Sequence, residues 1–160
     1  MKEIVLDTGV MSQVSDEDHD YLNQWSWSLL SGYVSCYCPI QKTTLRMARL
    51  VFHRMGVAKR DVIDHKDRDK LNNQRSNLRA ATFKQSIANR KQRLGHKSRF
   101  FGVSWTVRGW MVSVASRRAG PFADEVEAAK FRDRLALEEY GEFAQLNFDP
   151  CLDAIQTPII

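Results

Sequence analysis

The stretch DVIDHKDRDKLNNQRSNLR, residues 61–79, begins apolar and ends basic. DVIDH reads as a short strand, with Val62 and Ile63 leading into Asp64 and His65. KDRDKLNNQRSNL is polar and rich in Asp and Asn, whose side chains bond their own backbone in turns, so it reads as a loop. RAATFKQSIANRKQR, residues 79–93, then reads as a basic helix. Asp64 and His65 therefore stand at a strand end, with Asn77 twelve residues beyond His65. Cutting a phosphodiester needs an activated water, stabilised charge on the phosphate and relief of charge on the leaving oxygen. A histidine takes a proton near neutral pH. A neighbouring carboxylate can hold a hard cation such as Mg²⁺. A loop amide can orient the imidazole through one of its nitrogens.

Working outward, residues 44–58, TLRMARLVFHRMGVA, place Leu45, Leu50, Val51 and Met55 near helical spacing, with Gly56 to end the helix. Upstream, EIVLDTGVMSQVS and SGYVSCYCPI read as short strands. Ser15 caps a helical turn running into Tyr21 and Leu22, and Trp25 and Trp27 read as core. Downstream, RLGHKSR reads as a linker. FFGVSW and GWMVSVAS flank a hairpin turn, and Asp124 with Glu127 resembles a capping box opening a helix that Gly141 closes. Asp7-Thr8-Gly9 imitates a protease motif but has no second copy and reads as a turn. Asp67 and Asp69 hint at a calcium loop that lacks its Gly and its closing Glu. Cys36 and Cys38 read as packing.

The net charge of +5 is unevenly distributed. Residues 1–39 carry −5, residues 40–99 carry +13 and residues 100–160 carry −3. So concentrated a positive segment points to a polyanion, most simply nucleic acid. Three cysteines cannot all pair and no C-x-x-C is present, so a disulfide scaffold is not expected. No apolar run reaches the ~18 residues of a membrane span and no signal-peptide core opens the chain, so a cytoplasmic, non-membrane protein is expected.

Residues 61–79 resemble the core of HNH homing-type endonucleases, preceded by a similar lead-in helix, RMARLVFHRMG. The resemblance implies a ββα-metal fold in which Asp64 binds the metal, His65 is the general base and Asn77 orients His65. The second metal ligand falls on Ser86, where the family usually carries Asn; Asn89, one turn further, is the substitute. Arg68 stands where the family usually has Gly. Residues 99–148 resemble the APETALA/ethylene-response type of DNA-binding domain, through Gly102-Val103, Trp110, Phe122, Glu127-Ala128-Ala129, Tyr140-Gly141 and Leu146-Asn147-Phe148. That implies a three-stranded antiparallel sheet on one helix, with arginines and tryptophans touching DNA. VSDEDHDYLNQWSWSLLSGYV looks like the module that commonly precedes the HNH unit in phage-type enzymes.

The expected architecture is α+β, a ββα-metal core plus a small three-stranded antiparallel sheet packed on one helix. Its sections are a strand-rich module (1–43), a nuclease core (44–92), a basic linker (93–98), a DNA-binding domain (99–148) and a tail (149–160). The expected activity is divalent-metal-dependent cutting or nicking of duplex DNA, by a monomer with Mg²⁺ or Mn²⁺ as cofactor, in the cytoplasm of a bacterial host if phage-encoded. The alternative is a DNA-binding protein with a degenerate, inactive nuclease centre. Expected DNA contacts are Lys42, Arg46, Arg49, Arg75, Arg79, Arg90, Lys91 and Arg93, with Trp105, Arg108, Trp110, Arg117 and Arg118 in the C-terminal section.

Overall fold

A computed structural model of the chain describes residues 1–57, 62–90 and 97–148. The fold is α+β with small antiparallel sheets. It divides into two compact units, residues 1–86 and 87–160.

The first unit opens with a hairpin of β1 (Lys2–Val5) and β2 (Met11–Val14). Helix α1 (Asp16–Leu22) follows, then an antiparallel sheet of β3 (Ser28–Leu30), β4 (Tyr33–Cys38) and β5 (Thr43–Arg46) in that order. Helix α2 spans Met47–Arg54. Strands β6 (Val62–His65) and β7 (Leu78–Ala81) pair antiparallel, and the short helix α3 (Phe83–Ala88) follows directly.

Alternation along β4 explains the packing, since Val34, Cys36 and Cys38 are buried while Tyr37 faces out. The buried core joins Ile4, Leu22, Trp27, Val34, Val51, Phe52 and Leu78. Residues on both sides of the boundary expected at 43/44 therefore share one core among the described residues. A buried carboxylate ties the same parts together. Asp18 in α1 accepts from Arg54 Nε at 2.7 Å and from Arg75 Nε at 2.6 Å, drawing α1, α2 and the β6–β7 loop onto one point. Burial works against the Asp18 charge, but the two arginines outweigh it and hold its pKa below the ordinary carboxylate value.

Three boundaries differ from the sequence reading. Thr44, Leu45 and Arg46 are extended in β5, so α2 begins only at Met47. It ends as expected: Gly56 takes φ +74°, its N–H reaches the His53 carbonyl and the Val57 N–H reaches the Phe52 carbonyl. Arg79-Ala80-Ala81, read as helix, belong to β7, because pairing with β6 overrides the helical preference of alanine. Helix α3 is capped instead at Thr82. Its hydroxyl accepts from the Gln85 N–H, and Gln85 Oε1 accepts from the Thr82 N–H at 2.8 Å.

The second unit is a meander of β8 (Val103–Thr106), β9 (Gly109–Val114) and β10 (Arg117–Phe122), packed on α4 (Glu125–Tyr140). Its core holds Val103, Val112, Val114, Ala128, Ala129, Leu135 and Ala136. Asp124 caps α4 by accepting from the Glu127 N–H at 2.9 Å. A buried polar cluster fastens the end of the unit. Asp133 accepts from the Asn147 and Phe148 N–H groups at 2.6 and 3.1 Å, and Asn147 pairs with both main-chain groups of Phe101. Arg132 donates to Asp133 and to the Gln145 carbonyl. Glycine is required at 102, since a Cβ there lies 2.8 Å from Arg132 Nε and the backbone takes φ +73°. Among the described residues, no helix is long and apolar enough to cross a membrane.

Candidate active site

Asp64 and His65 end β6 and both are buried. Across the hairpin Asp64 lies opposite Arg79, and Arg79 Nε donates to Asp64 Oδ2 at 2.9 Å. Arg79, expected on a phosphate, is thus a largely buried partner of the candidate metal ligand.

The amide facing the His65 ring is that of Asn73, with Oδ1 3.4 Å from Nε2. Asn73 is itself almost fully buried and anchored on several sides. Its Nδ2 donates to Ser12 Oγ at 3.0 Å and to the Lys70 carbonyl at 3.2 Å, and its N–H donates to the Gln13 carbonyl at 2.8 Å. A carbonyl only accepts, so the amide nitrogen must face Lys70 and Oδ1 must face the imidazole. Nε2 then carries the proton, and Nδ1 holds the lone pair of the neutral ring. Burial lowers the His65 pKa below 6.5, against the opposing pull of Asn73 and of Asp67, Asp64 and Asp69. The ring is therefore neutral at pH 7 and able to accept a proton.

Asn77, expected to orient the ring, works on the loop instead. Its Oδ1 accepts from the Asp67 N–H at 3.1 Å, and its Nδ2 donates to Asp67 Oδ1 at 2.9 Å and to the Asn72 carbonyl at 2.8 Å. Its carbonyl accepts from the Lys66 N–H. Burial works to raise the Asp67 pKa, but the Asp69 N–H and the Asn72 and Asn77 amides prevail and hold it low. The Asp67 carboxylate is thereby turned into the loop as a structural acceptor. Arg68 adopts φ +67°, the left-handed geometry that glycine adopts at no steric cost.

Ser86 is half-buried in α3, with its N–H on the Thr82 carbonyl. Asn89, just beyond α3, is buried in the second packing unit. Among the described residues, no group of three or more His, Cys, Asp or Glu side chains assembles a metal site. Within the first unit the candidate donors are the Asp64 carboxylate and the Ser86 hydroxyl. That chemistry suits an ion such as Mg²⁺, which keeps several waters and shares its shell with substrate phosphates.

The expected DNA contacts divide into several groups. Arg75 is committed to Asp18, and to Glu17 at 3.0 Å. Lys42 and Arg46 are exposed around β5, Arg49 is half-buried in α2, and Arg90 is exposed. Lys91 and Arg93 lie outside the described residues, as do the linker's first residues and the tail. In the second unit Arg117 pairs with Glu138 of α4 at 2.9 Å, on the helix side of the sheet. Trp110 packs against the core, and Trp105 meets it edge-on with centroids 5.0 Å apart. Arg118 and Arg108 remain exposed, the first beside Ser113 on the outward face and the second in the β8–β9 turn.

Ser12 and Asn73, 61 residues apart, are the site residues the sequence reading missed. The doublet Asn72-Asn73 was visible, but its partner on β2 was not. No protein-family model, curated protein or solved structure matches the chain.

Proposed function

We propose that this chain is a divalent-metal-dependent DNA endonuclease of HNH type. The observation that carries the reading is the buried Asp64–His65 pair at the end of β6, with the imidazole clamped by Asn73 in a strand–loop–strand–helix order. The neutral His65 imidazole accepts the proton of the attacking water as its oxygen bonds to phosphorus and the leaving oxygen departs. Asn73 fixes the tautomer and direction of that base. Asp64 and Ser86 would hold the divalent ion, which when bound would supply positive charge to the phosphate and the leaving oxygen. The second unit, as an APETALA/ethylene-response-type domain, adds DNA contacts through Arg108 and Arg118.

The test is supercoiled plasmid incubated with the protein and Mg²⁺, Mn²⁺ or EDTA. Open-circle product is expected with either metal and not with EDTA. His65→Ala should lower the nicking rate by at least about 10²-fold while leaving duplex binding near wild type.

A second reading, a DNA-binding protein with a degenerate centre, is favoured by the Arg79–Asp64 ion pair. A cation already occupies the carboxylate, and Ser86 is a weaker donor than an amide. Duplex binding without nicking in either metal would establish that reading and remove the first.

A further inference from the structure

The sheet of β3, β4 and β5 buries one face on the core, and its other face carries the exposed Tyr37 and Arg46 at its edges, with Ser35 buried between them. On β4, Tyr33, Ser35 and Tyr37 share the outward side, and Arg46 of β5 lies opposite Ser35. From there Arg46 reaches diagonally to Tyr33, its guanidinium carbon 4.1 Å from the ring centroid. A second cation meets the same ring: Lys70 Nζ lies 3.9 Å from the centroid. Lys70 comes from the β6–β7 loop, so the contact joins the sheet to the candidate active site. Its carbonyl accepts from Asn73, whose Oδ1 faces His65.

Neither Arg46 nor Lys70 has a carboxylate partner among the described residues. No strand residue on the outward face is acidic. By contrast, Arg54 and Arg75 are neutralised by Asp18, and Arg79 by Asp64. Two unneutralised cations fixed on one aromatic ring form a preorganised site for a polyanion, because the ring holds them without consuming their charge.

We propose that this face binds the phosphodiester backbone of duplex DNA. Arg46 and Lys70 contact phosphate oxygens, Tyr33 holds both cations in register, and the DNA that enters the Asp64–His65 site runs across the N-terminal sheet. The proposal rests on duplex DNA being the substrate, as in the nuclease reading, and adds the path of the substrate.

The test is fluorescence anisotropy of a labelled duplex with the full chain, in EDTA, from 50 to 300 mM KCl. Each phosphate contact contributes about 0.9 to the slope of log K against log salt, and about fivefold in affinity near 0.15 M. Arg46→Gln and Lys70→Gln should each reduce the slope by about 0.9. The double variant should lose about 1.8 in slope and about 30-fold in affinity. Tyr33→Leu, which removes no charge, should weaken binding severalfold with little change in slope. Lys2→Gln on β1, beside Asp20, is the control and should change neither. Circular dichroism melts accompany every variant, and Lys70→Met, which keeps the stem on the ring, replaces Lys70→Gln if the latter melts early.

A folded double variant with the wild-type slope overturns the proposal, as does an equal loss in Lys2→Gln. Wild-type protein that binds no duplex at any salt removes both this proposal and the nuclease reading. The expected slopes without nicking in Mg²⁺ or Mn²⁺ remove only the nuclease reading.

Discussion

At the residue scale, the burial of His65 has a measurable consequence. Its folded pKa is lowered, so the imidazole stays neutral to a lower pH than a free histidine. A base must be unprotonated to work, so nicking should hold as pH falls through 6.5 and decline only below it, as His65 takes up its proton. A pH–rate profile with its acidic limb above 6.5 would contradict this environment. Arg68 offers a second check. Its φ of +67° costs about 1 kcal/mol for an ordinary L-residue, and Gly escapes that cost but loses unfolded-chain entropy of similar size. Arg68→Gly should therefore stay within about 0.5 kcal/mol of Arg68→Ala, which likewise lacks the guanidinium. Arg68→Val, β-branched in the same geometry, should cost about 1–2 kcal/mol in urea denaturation. The place of Asp64 and His65 at the end of a strand was legible from local order alone. Which amide meets the imidazole was not, because Asn73 is positioned by Ser12 and Gln13 of a distant strand.

At the element scale, Asp18 governs how α1, α2 and the β6–β7 loop meet. Asp18→Asn leaves Arg54 and Arg75 facing an amide, and both arginines are partly solvated. The loss should be about 2–3 kcal/mol, somewhat under that for a fully buried pair. The pH sign follows from the lowered pKa. The Asp18 contribution is present above its unfolded value of 3.8 and is lost as pH falls through the lower folded value. Denaturant midpoints from pH 7 down to 2 should show a shallower acid decline in the variant, and parallel curves would count against the ion pair. This element also shows why Arg75 was misread. Charge sign suggested a phosphate, but its partner lies 57 residues away in an acidic segment treated as a separate module. The α3 start was missed although Thr82 and Gln85 carry the capping pattern, because Arg79-Ala80-Ala81 has strong helical propensity and its pairing with β6 is not local.

At the scale of the whole molecule, the two hydrophobic cores draw on separate parts of the chain. The first uses residues between Ile4 and Leu78, and the second between Phe100 and Phe148. Each buries its own apolar surface, so a fragment lacking residues 97–160 should fold and melt cooperatively, with Asp64, His65 and Asn73 in place. On the proposed function, the DNA affinity of the fragment follows from which cations are lost. Arg117 is already paired with Glu138, while Arg132 is buried against Asp133. Among the described residues, Arg108 and Arg118 are the exposed, unpaired arginines of the sheet, whose outward face is otherwise built from Ser104, Thr106, Met111 and Ser113, while Lys97, Lys130 and Arg134 are exposed elsewhere in the unit. At about 0.9 per contact, loss of the two sheet arginines should lower the salt slope by about 1.8, and a larger fall would add Lys97, Lys130 or Arg134 to the contacts. Phosphate contacts position the protein and base contacts specify the site, and a good bidentate base contact is worth about 1–3 kcal/mol of discrimination. If Arg118 or Arg108 reads a base, the fragment should lose preference for its target over random duplex by about tenfold or more while still nicking. Competition binding with target and random duplex decides the matter. Full site preference in a folded fragment would assign sequence reading to the first unit.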